Sequence, residues 1–137
     1  MTQPFCLFIT SYYPHGKYFE DDSKKAKDIA FYPFNEQQKE NPAFIKKKSG
    51  YYRSVEENNK DLAEVLNLVD QHLDDNTLFI YSADHGVSGK FSVYDRGLNV
   101  PFIARWPKVI KASSQSDVLI HYTDVLPTLM EIAGGTT

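Results

Sequence analysis

The sequence predicts an α/β fold with a mostly parallel sheet flanked by helices. Short apolar runs of the kind that form buried strands alternate with segments of helical periodicity, and residues typical of turns separate them. The chain has 137 residues, of which 42% are hydrophobic, and this length fits one domain. We therefore expect a single domain over residues 1–137, in which residues 17–50 form a long surface insertion.

The first predicted element is a strand at residues 5–10. This almost continuous apolar run is typical of a strand buried on both faces of a sheet. Cys6 lies within it and is the only cysteine, so we expect a buried side chain and no disulfide bond within the chain. In residues 17–50 the periodicity fades and lysines mix with acids, aromatic residues and two prolines, which predicts a surface excursion with one short helix.

The clearest helical pattern lies in residues 51–73. Apolar residues recur there at spacings of four, three and four, at Leu62, Leu66, Val69 and Leu73. This stripe predicts an amphipathic helix that packs on the sheet. A turn at residues 74–76 then leads into a predicted strand at residues 77–82.

Two more strands and one helix complete the predicted order. Residues 100–107 read as a strand in which Pro101 is confined to the strand start or to an edge, and residues 116–121 as a further short strand. Thr123 or Asp124 can cap the last helix, which tolerates a proline in its first turn and stops at two glycines.

The net charge and the hydropathy of the chain limit the classes of binding partner. A formal net charge of -3 gives no electrostatic argument for binding nucleic acid or an anionic membrane surface. No apolar run approaches the roughly 20 residues of a membrane span, and the first residues lack the pattern of a signal peptide. A small partner is expected. Lys46, Lys47 and Lys48 form either a solvated face or a contact for a polyanionic substrate.

The candidate site is Asp84-His85-Gly86, directly after the strand predicted at residues 77–82. In open α/β sheets, ligands gather beyond the carboxyl ends of strands. A carboxylate and an imidazole can bind a divalent cation, and glycine allows a tight turn beside them. The flexible ammonium group of Lys90 could hold an anion nearby. The competing interpretation is an ordinary surface turn, and it applies equally to the Pro-His-Gly loop of His15.

In this order, several motifs resemble the sulfatases of the alkaline phosphatase superfamily. They are Pro4-Phe5, Pro14-His15, the helix at residues 51–73, Ser82-Ala83-Asp84-His85-Gly86, Gly89-Lys90, residues 94–103, Arg105-Trp106-Pro107 and Asp124-Val125-Leu126-Pro127-Thr128-Leu129. The resemblance covers most of the chain outside residues 17–50. It implies the C-terminal part of a sulfatase catalytic domain, and hence a partial alkaline-phosphatase-like three-layer sandwich.

The resemblance also implies residue roles. Asp84 and His85 would be metal ligands for Ca²⁺ or Mg²⁺, although many relatives have asparagine at the position of His85. His15 and Lys90 would be catalytic residues that contact the sulfate of a sulfated small molecule or glycan. Tyr94, Arg96 and Gly97 would shape a loop, and His121 and Asp124 would pack or cap a helix.

Sulfatases that this sequence resembles use a formylglycine made from a Cys/Ser-x-Pro-x-Arg segment, and these residues contain no such segment. We therefore expect the formylglycine upstream and the isolated chain to be inactive. Unpaired sheet edges would favour a homo-oligomer. The residues assign no compartment, and for the parent protein the resemblance is compatible with a periplasmic, secreted or lysosomal one.

Two alternatives stay open. Phosphodiesterases and phosphonate monoester hydrolases of the same superfamily share much of this pattern. A non-catalytic remnant could instead bind an anionic glycan through its lysines, at positions Lys17, Lys24, Lys25, Lys46, Lys47 and Lys48.

Overall fold

The computed structural model describes residues 4–29, 36–86, 90 and 93–135. The chain divides into two compact units, Met1–Asp74 and Asp75–Thr137. Among the described residues the first unit contains helical elements only, and the second combines a small sheet with two α-helices. None of the helices in the described part of the chain has the length and apolar character that crossing a membrane requires.

The first unit is built around one long helix. A 3-10 turn at Ala26–Asp28 and a short helix α1 at Glu36–Glu40 precede helix α2, which spans Pro42–His72. Asn41 caps α2, since its side chain accepts hydrogen bonds from the backbone N–H groups of Ala43 and Phe44. The helix predicted at residues 51–73 is thus confirmed and begins at Pro42, where a proline in the first turn is favourable.

Small and polar side chains form the buried face of α2. The buried residues are Ser49, Gly50, Ser54 and Asn58. The Ser49 hydroxyl accepts a hydrogen bond from the backbone N–H of Lys24 at 3.2 Å and donates one to the Asp21 carboxylate. That donated hydrogen bond lowers the pKa of Asp21. Residues 17–29 are therefore attached to α2. Residues 42–50 are the first part of this long helix, where the sequence predicted one short helix. The surface insertion over residues 17–50 stays a prediction.

The second unit contains two strands and two helices. Strand β1 is Phe79–Ser82, helix α3 is Asp95–Leu98, strand β2 is Phe102–Arg105, and helix α4 is Val125–Ile132. β1 pairs antiparallel with β2, in a register that places Phe79 opposite Arg105 and Ser82 opposite Phe102. A 3-10 turn at Tyr122–Asp124 leads into α4. Both strands lie inside predicted ranges, and the last predicted helix is confirmed.

Three sequence predictions differ from the described structure. The described sheet is antiparallel rather than mostly parallel. The runs at residues 5–10 and 116–121, which were predicted to be strands, have no regular secondary structure, and both are exposed. Cys6 is exposed rather than buried. A strand needs a neighbour to satisfy its backbone N–H and C=O groups, and no partner strand reaches these two runs within the described residues.

The apolar core is small. Among the described residues, Ile29 is the only buried hydrophobic side chain. The predicted stripe of α2 is only half-buried, at Leu62, Leu66, Val69 and Leu73. Packing of this stripe against the sheet remains a prediction.

Candidate functional site

Asp84 and His85 lie directly after β1, where the sequence predicted a site. The Asp84 carboxylate is 82% exposed, and the His85 imidazole is 33% exposed. His85 Nε2 lies 3.7 Å from Asp84 Oδ2, so the two side chains converge at the strand end. The structure therefore brings these two predicted metal ligands together.

The hydrogen bond of His85 Nδ1 decides which ring nitrogen of His85 carries the proton. Nδ1 lies 2.8 Å from the carbonyl oxygen of Gly86, and since a carbonyl only accepts, Nδ1 carries the proton of this hydrogen bond. In neutral histidine this leaves a lone pair on Nε2, the atom that faces Asp84. Metal-binding histidines commonly donate their other ring N–H to a backbone carbonyl in this way.

Three polar contacts hold the strand end before Asp84. The hydroxyl of Tyr122 donates to the carbonyl of Ala83, and it lies 2.7 Å from Ser82 Oγ. Ser82 Oγ also donates to the carbonyl of Pro101 at 2.7 Å, which joins β1 to the start of β2. The backbone that precedes Asp84 is thus tied to the turn before α4.

Gly86 is fixed on the other side of the pair. Its backbone N–H donates to the carbonyl of Gly97 at 2.9 Å. A Cβ at Gly86 would lie 2.2 Å from the carbonyl oxygen of Arg96, so only glycine fits this close approach. The turn around α3 therefore supports the loop of Asp84 and His85, which agrees with the structural role expected for Arg96 and Gly97.

The Asp84 carboxylate and the His85 imidazole could supply two of the ligands of a hard divalent cation. An exposed carboxylate and an imidazole lone pair that point toward each other are suitable ligands. Calcium prefers about six to eight ligands, so most would have to come from other groups. Nowhere in the described residues do three or more histidine, cysteine, aspartate or glutamate side chains converge as a metal centre.

His15 lies in the first unit, in an exposed loop. Its backbone N–H donates to the carbonyl of Tyr12 at 2.9 Å, and its ring meets the Tyr12 ring edge-on, with centroids 5.5 Å apart. Gly16 follows with a φ of 85°, a conformation that favours glycine. The imidazole is presented at the surface by a tight turn.

Lys90 lies in the second unit and is exposed. Gly89 and the other neighbours at positions 87–88 and 91–92 lie outside the described residues. The structure thus divides the predicted site residues between the units, with Asp84, His85 and Lys90 in the second and His15 in the first.

Acidic neighbours accompany the lysines of the first unit. Lys24 pairs with Glu56 at 3.3 Å and lies over the ring of Tyr52, and Lys46 lies 3.7 Å from Glu20. Such pairs reduce the positive charge that an anionic glycan would meet. This arrangement favours the solvated face over a polyanion contact.

His121 and Asp124 cap the 3-10 turn at Tyr122–Asp124 rather than the last helix, since the Asp124 side chain makes no capping hydrogen bond to α4. His121 Nδ1 accepts from the backbone N–H of Thr123, and the Asp124 carboxylate accepts from the backbone N–H of His121 at 2.8 Å. Sequence reasoning missed two other residues, Tyr122 and Asn58. No sequence pattern marks Tyr122, whereas Asn58 continues the spacing of four that runs through Leu62 and Leu66.

The described elements place an acid and a histidine together at the end of a strand, and they do not by themselves name the family of the chain. Comparison with known proteins identifies it: the sequence model of the family described as Sulfatase matches residues 2–135, and the chain belongs to this family.

Named relatives agree with the family. Over 133 residues the chain is 71% identical to an ulvan-active sulfatase of Formosa agariphila, a match that covers 97% of the chain and 27% of the relative. A second ulvan-active sulfatase of that organism is 36% identical over 61% of the chain and 15% of its own length. The steryl-sulfatase of Homo sapiens is 30% identical over 61% of the chain and 18% of its own length. The chain spans about a quarter or less of these relatives. No solved structure matches the chain.

Proposed function

We propose that this chain is the C-terminal part of the catalytic domain of a sulfatase that hydrolyses the sulfate esters of a sulfated carbohydrate. The observation that carries the proposal is the convergence of the Asp84 carboxylate and His85 Nε2, 3.7 Å apart at the end of β1 in a chain of this family. The carbohydrate substrate is supported by the 71% identity to an ulvan-active sulfatase. The proposed complete fold is the three-layer sandwich, of which residues 1–137 would supply one part.

In this proposal Asp84 and His85 hold a Ca²⁺ or Mg²⁺ ion. When bound, the cation supplies positive charge beside the sulfate oxygens, where ester cleavage needs it. The chain's own contribution is to keep the two ligands oriented. The Gly86 carbonyl keeps Nε2 of His85 available by accepting a hydrogen bond from Nδ1–H, and the Ala83 carbonyl is anchored by Tyr122.

His15 and Lys90 are the proposed sulfate contacts. Both side chains are exposed, and each can donate hydrogen bonds to an anionic oxygen. The Lys90 ammonium would contribute positive charge to this contact, and the His15 imidazole would contribute a ring N–H. The nucleophile is proposed to be a formylglycine encoded upstream, so the isolated chain would not turn over sulfate esters.

The test uses the full-length protein that contains this chain. It would be given a sulfated oligosaccharide and aryl esters of sulfate, phosphate and phosphonate, and the release of inorganic sulfate or phosphorus product would be measured. We expect sulfate release to be fastest, and that Asp84→Asn abolishes most of it. Faster turnover of the phosphate or phosphonate ester would instead support a phosphodiesterase or phosphonate monoester hydrolase.

A further inference from the structure

The buried amide of Asn58 joins α2 to the loop that carries His15. Asn58 is only 7% exposed, which is unusual for an asparagine on a helix. Its Nδ2 donates to Ser11 Oγ at 2.7 Å and lies 3.3 Å from the carbonyl oxygen of Tyr13. Both acceptors precede His15 by a few residues, so the amide holds the start of its loop.

Hydrogen bonds within the loop connect the residues that Asn58 contacts to the backbone of His15. The backbone N–H of His15 bonds to the carbonyl of Tyr12, between the two residues that Asn58 contacts. Ser11 Oγ also accepts a hydrogen bond from the backbone N–H of Tyr13 at 3.2 Å. The backbone from Ser11 to His15 is therefore a short hydrogen-bonded unit whose attachment to a regular helix runs through Asn58.

An exposed histidine needs such an anchor if it is to bind an anion. Its side chain is not fixed by burial, and among the described residues its ring contacts only the Tyr12 ring. Binding by a mobile loop loses affinity to the cost of ordering it. A buried amide that satisfies two loop acceptors removes part of that cost before the anion arrives.

We propose that Asn58 is a positioning residue for His15: it fixes the loop of residues 11–15 so that the imidazole meets a sulfate oxygen of the substrate. The proposal rests on the proposed function of His15. It adds a residue of α2 that touches neither substrate nor metal.

The experiment is a double-mutant cycle in the full-length protein that contains this chain. The variants are Asn58→Leu, His15→Ala, the double variant, and Asn59→Leu as the matched control, since Asn59 is the exposed neighbour on the same helix. The measurements are kcat and KM for an aryl sulfate, and the inhibition constant of inorganic sulfate. We expect Asn58→Leu to lower kcat/KM and to weaken sulfate inhibition about tenfold to hundredfold, as loss of supporting hydrogen bonds commonly does.

Non-additivity distinguishes positioning from a general structural role. If Asn58 acts through His15, Asn58→Leu changes activity no more than about twofold in the His15→Ala background. An equal loss in both backgrounds, or an equal loss in Asn59→Leu, would overturn the proposal. A large effect of His15→Ala beside none of Asn58→Leu would also overturn it, yet would leave the proposed function standing.

Failure of the proposed function looks different, because His15→Ala itself would then leave activity and sulfate inhibition unchanged. If Asn58→Leu does not fold, Asn58→Asp replaces it in the same cycle. A carboxylate at this position can still accept from the Ser11 hydroxyl but cannot donate to the Tyr13 carbonyl. We expect Asn58→Asp to weaken sulfate inhibition in the wild-type background and not in the His15→Ala background.

Discussion

At the scale of single residues, the proposed metal role depends on two hydrogen-bond acceptors facing each other. Asp84 Oδ2 and the lone pair of His85 Nε2 lie 3.7 Å apart, and in the neutral state of the histidine neither has a proton to offer the other. A cation between them would remove this repulsion. This facing pair is the local feature on which the proposed metal role rests.

Asp84→Asn is the direct test of this arrangement. The amide keeps the size of the side chain but loses the negative charge, so we expect the affinity of the full-length protein for Ca²⁺ to fall about tenfold or more, in line with the charge dependence of such sites. Calorimetric titration with Ca²⁺ measures it. Asp117→Asn, which changes another exposed aspartate, serves as the control. Unchanged Ca²⁺ affinity in Asp84→Asn would remove Asp84 from the site.

At Gly50, helix propensity favours alanine, whereas close packing favours glycine. Alanine is favoured over glycine in a helix interior by about 1 kcal/mol. A Cβ at Gly50, however, would lie 2.3 Å from the backbone carbonyl oxygen of Phe19 and 3.2 Å from the Cβ of Tyr18. Overpacking of this kind costs about 1–3 kcal/mol. Since the closest atom belongs to the backbone, it cannot move aside cheaply.

We therefore predict that Gly50→Ala lowers the free energy of unfolding by about 1 kcal/mol, the reverse of the propensity effect. Urea unfolding measures this change. Asn59→Ala, at an exposed position of the same helix, should raise stability by a few tenths of a kcal/mol. A stabilised Gly50→Ala would mean that residues 18–19 do not pack closely on α2.

At the scale of elements, the sequence predicted those helices and strands whose signals lie within the element itself. The long helix, the strands before Asp84 and Trp106, and the last helix follow from periodicity, caps and turn residues. The runs at residues 5–10 and 116–121 have strand-like sequences, but a strand forms only where a partner is present. The acid and histidine of the site could be predicted for the same local reason, whereas Tyr122 and Asn58 could not, because their partners lie 39 and 47 residues away.

The contact of Tyr122 predicts a coupling between the turn before α4 and the end of β1. Tyr122→Phe removes a hydroxyl that donates to the Ala83 carbonyl and lies 2.7 Å from Ser82 Oγ, so we expect Ca²⁺ affinity to fall about tenfold through the loosened Asp84 loop. Unfolding and Ca²⁺ titration are measured together. Thr128→Val is the matched control, because it removes a hydroxyl hydrogen bond to Asp124 within the same region.

The two variants separate stability from positioning. Each should lower the free energy of unfolding by about 1 kcal/mol for a lost hydrogen bond. Only Tyr122→Phe should change Ca²⁺ affinity. Equal affinities in both variants would show that the strand end holds its shape without the tyrosine hydroxyl.

At the scale of the whole molecule, the amount of apolar surface left exposed is the dominant feature. The sequence is 42% hydrophobic, yet Ile29 is the only hydrophobic side chain buried among the described residues. Both runs that were predicted to be strands contain strongly exposed apolar side chains. Phe8 is 82% exposed, and Leu119 is 97% exposed.

Exposed apolar segments that lie outside any sheet are templates for association with another chain. We therefore predict that the isolated 137-residue chain forms dimers or larger assemblies as its concentration rises, with sedimentation velocity as the measurement. Placing a charge in both runs, as Phe8→Lys with Leu119→Lys, should shift the chain toward monomer, because charged edge residues oppose strand pairing. Val109→Lys is the control, since Val109 is 62% exposed but lies outside both runs. If the chain stays monomeric at every concentration, or if Val109→Lys dissociates it equally well, the two runs are not the interface. Dissociation by the paired substitution alone would instead mark residues 5–10 and 116–121 as surfaces that a partner covers, as the remainder of a sulfatase domain would.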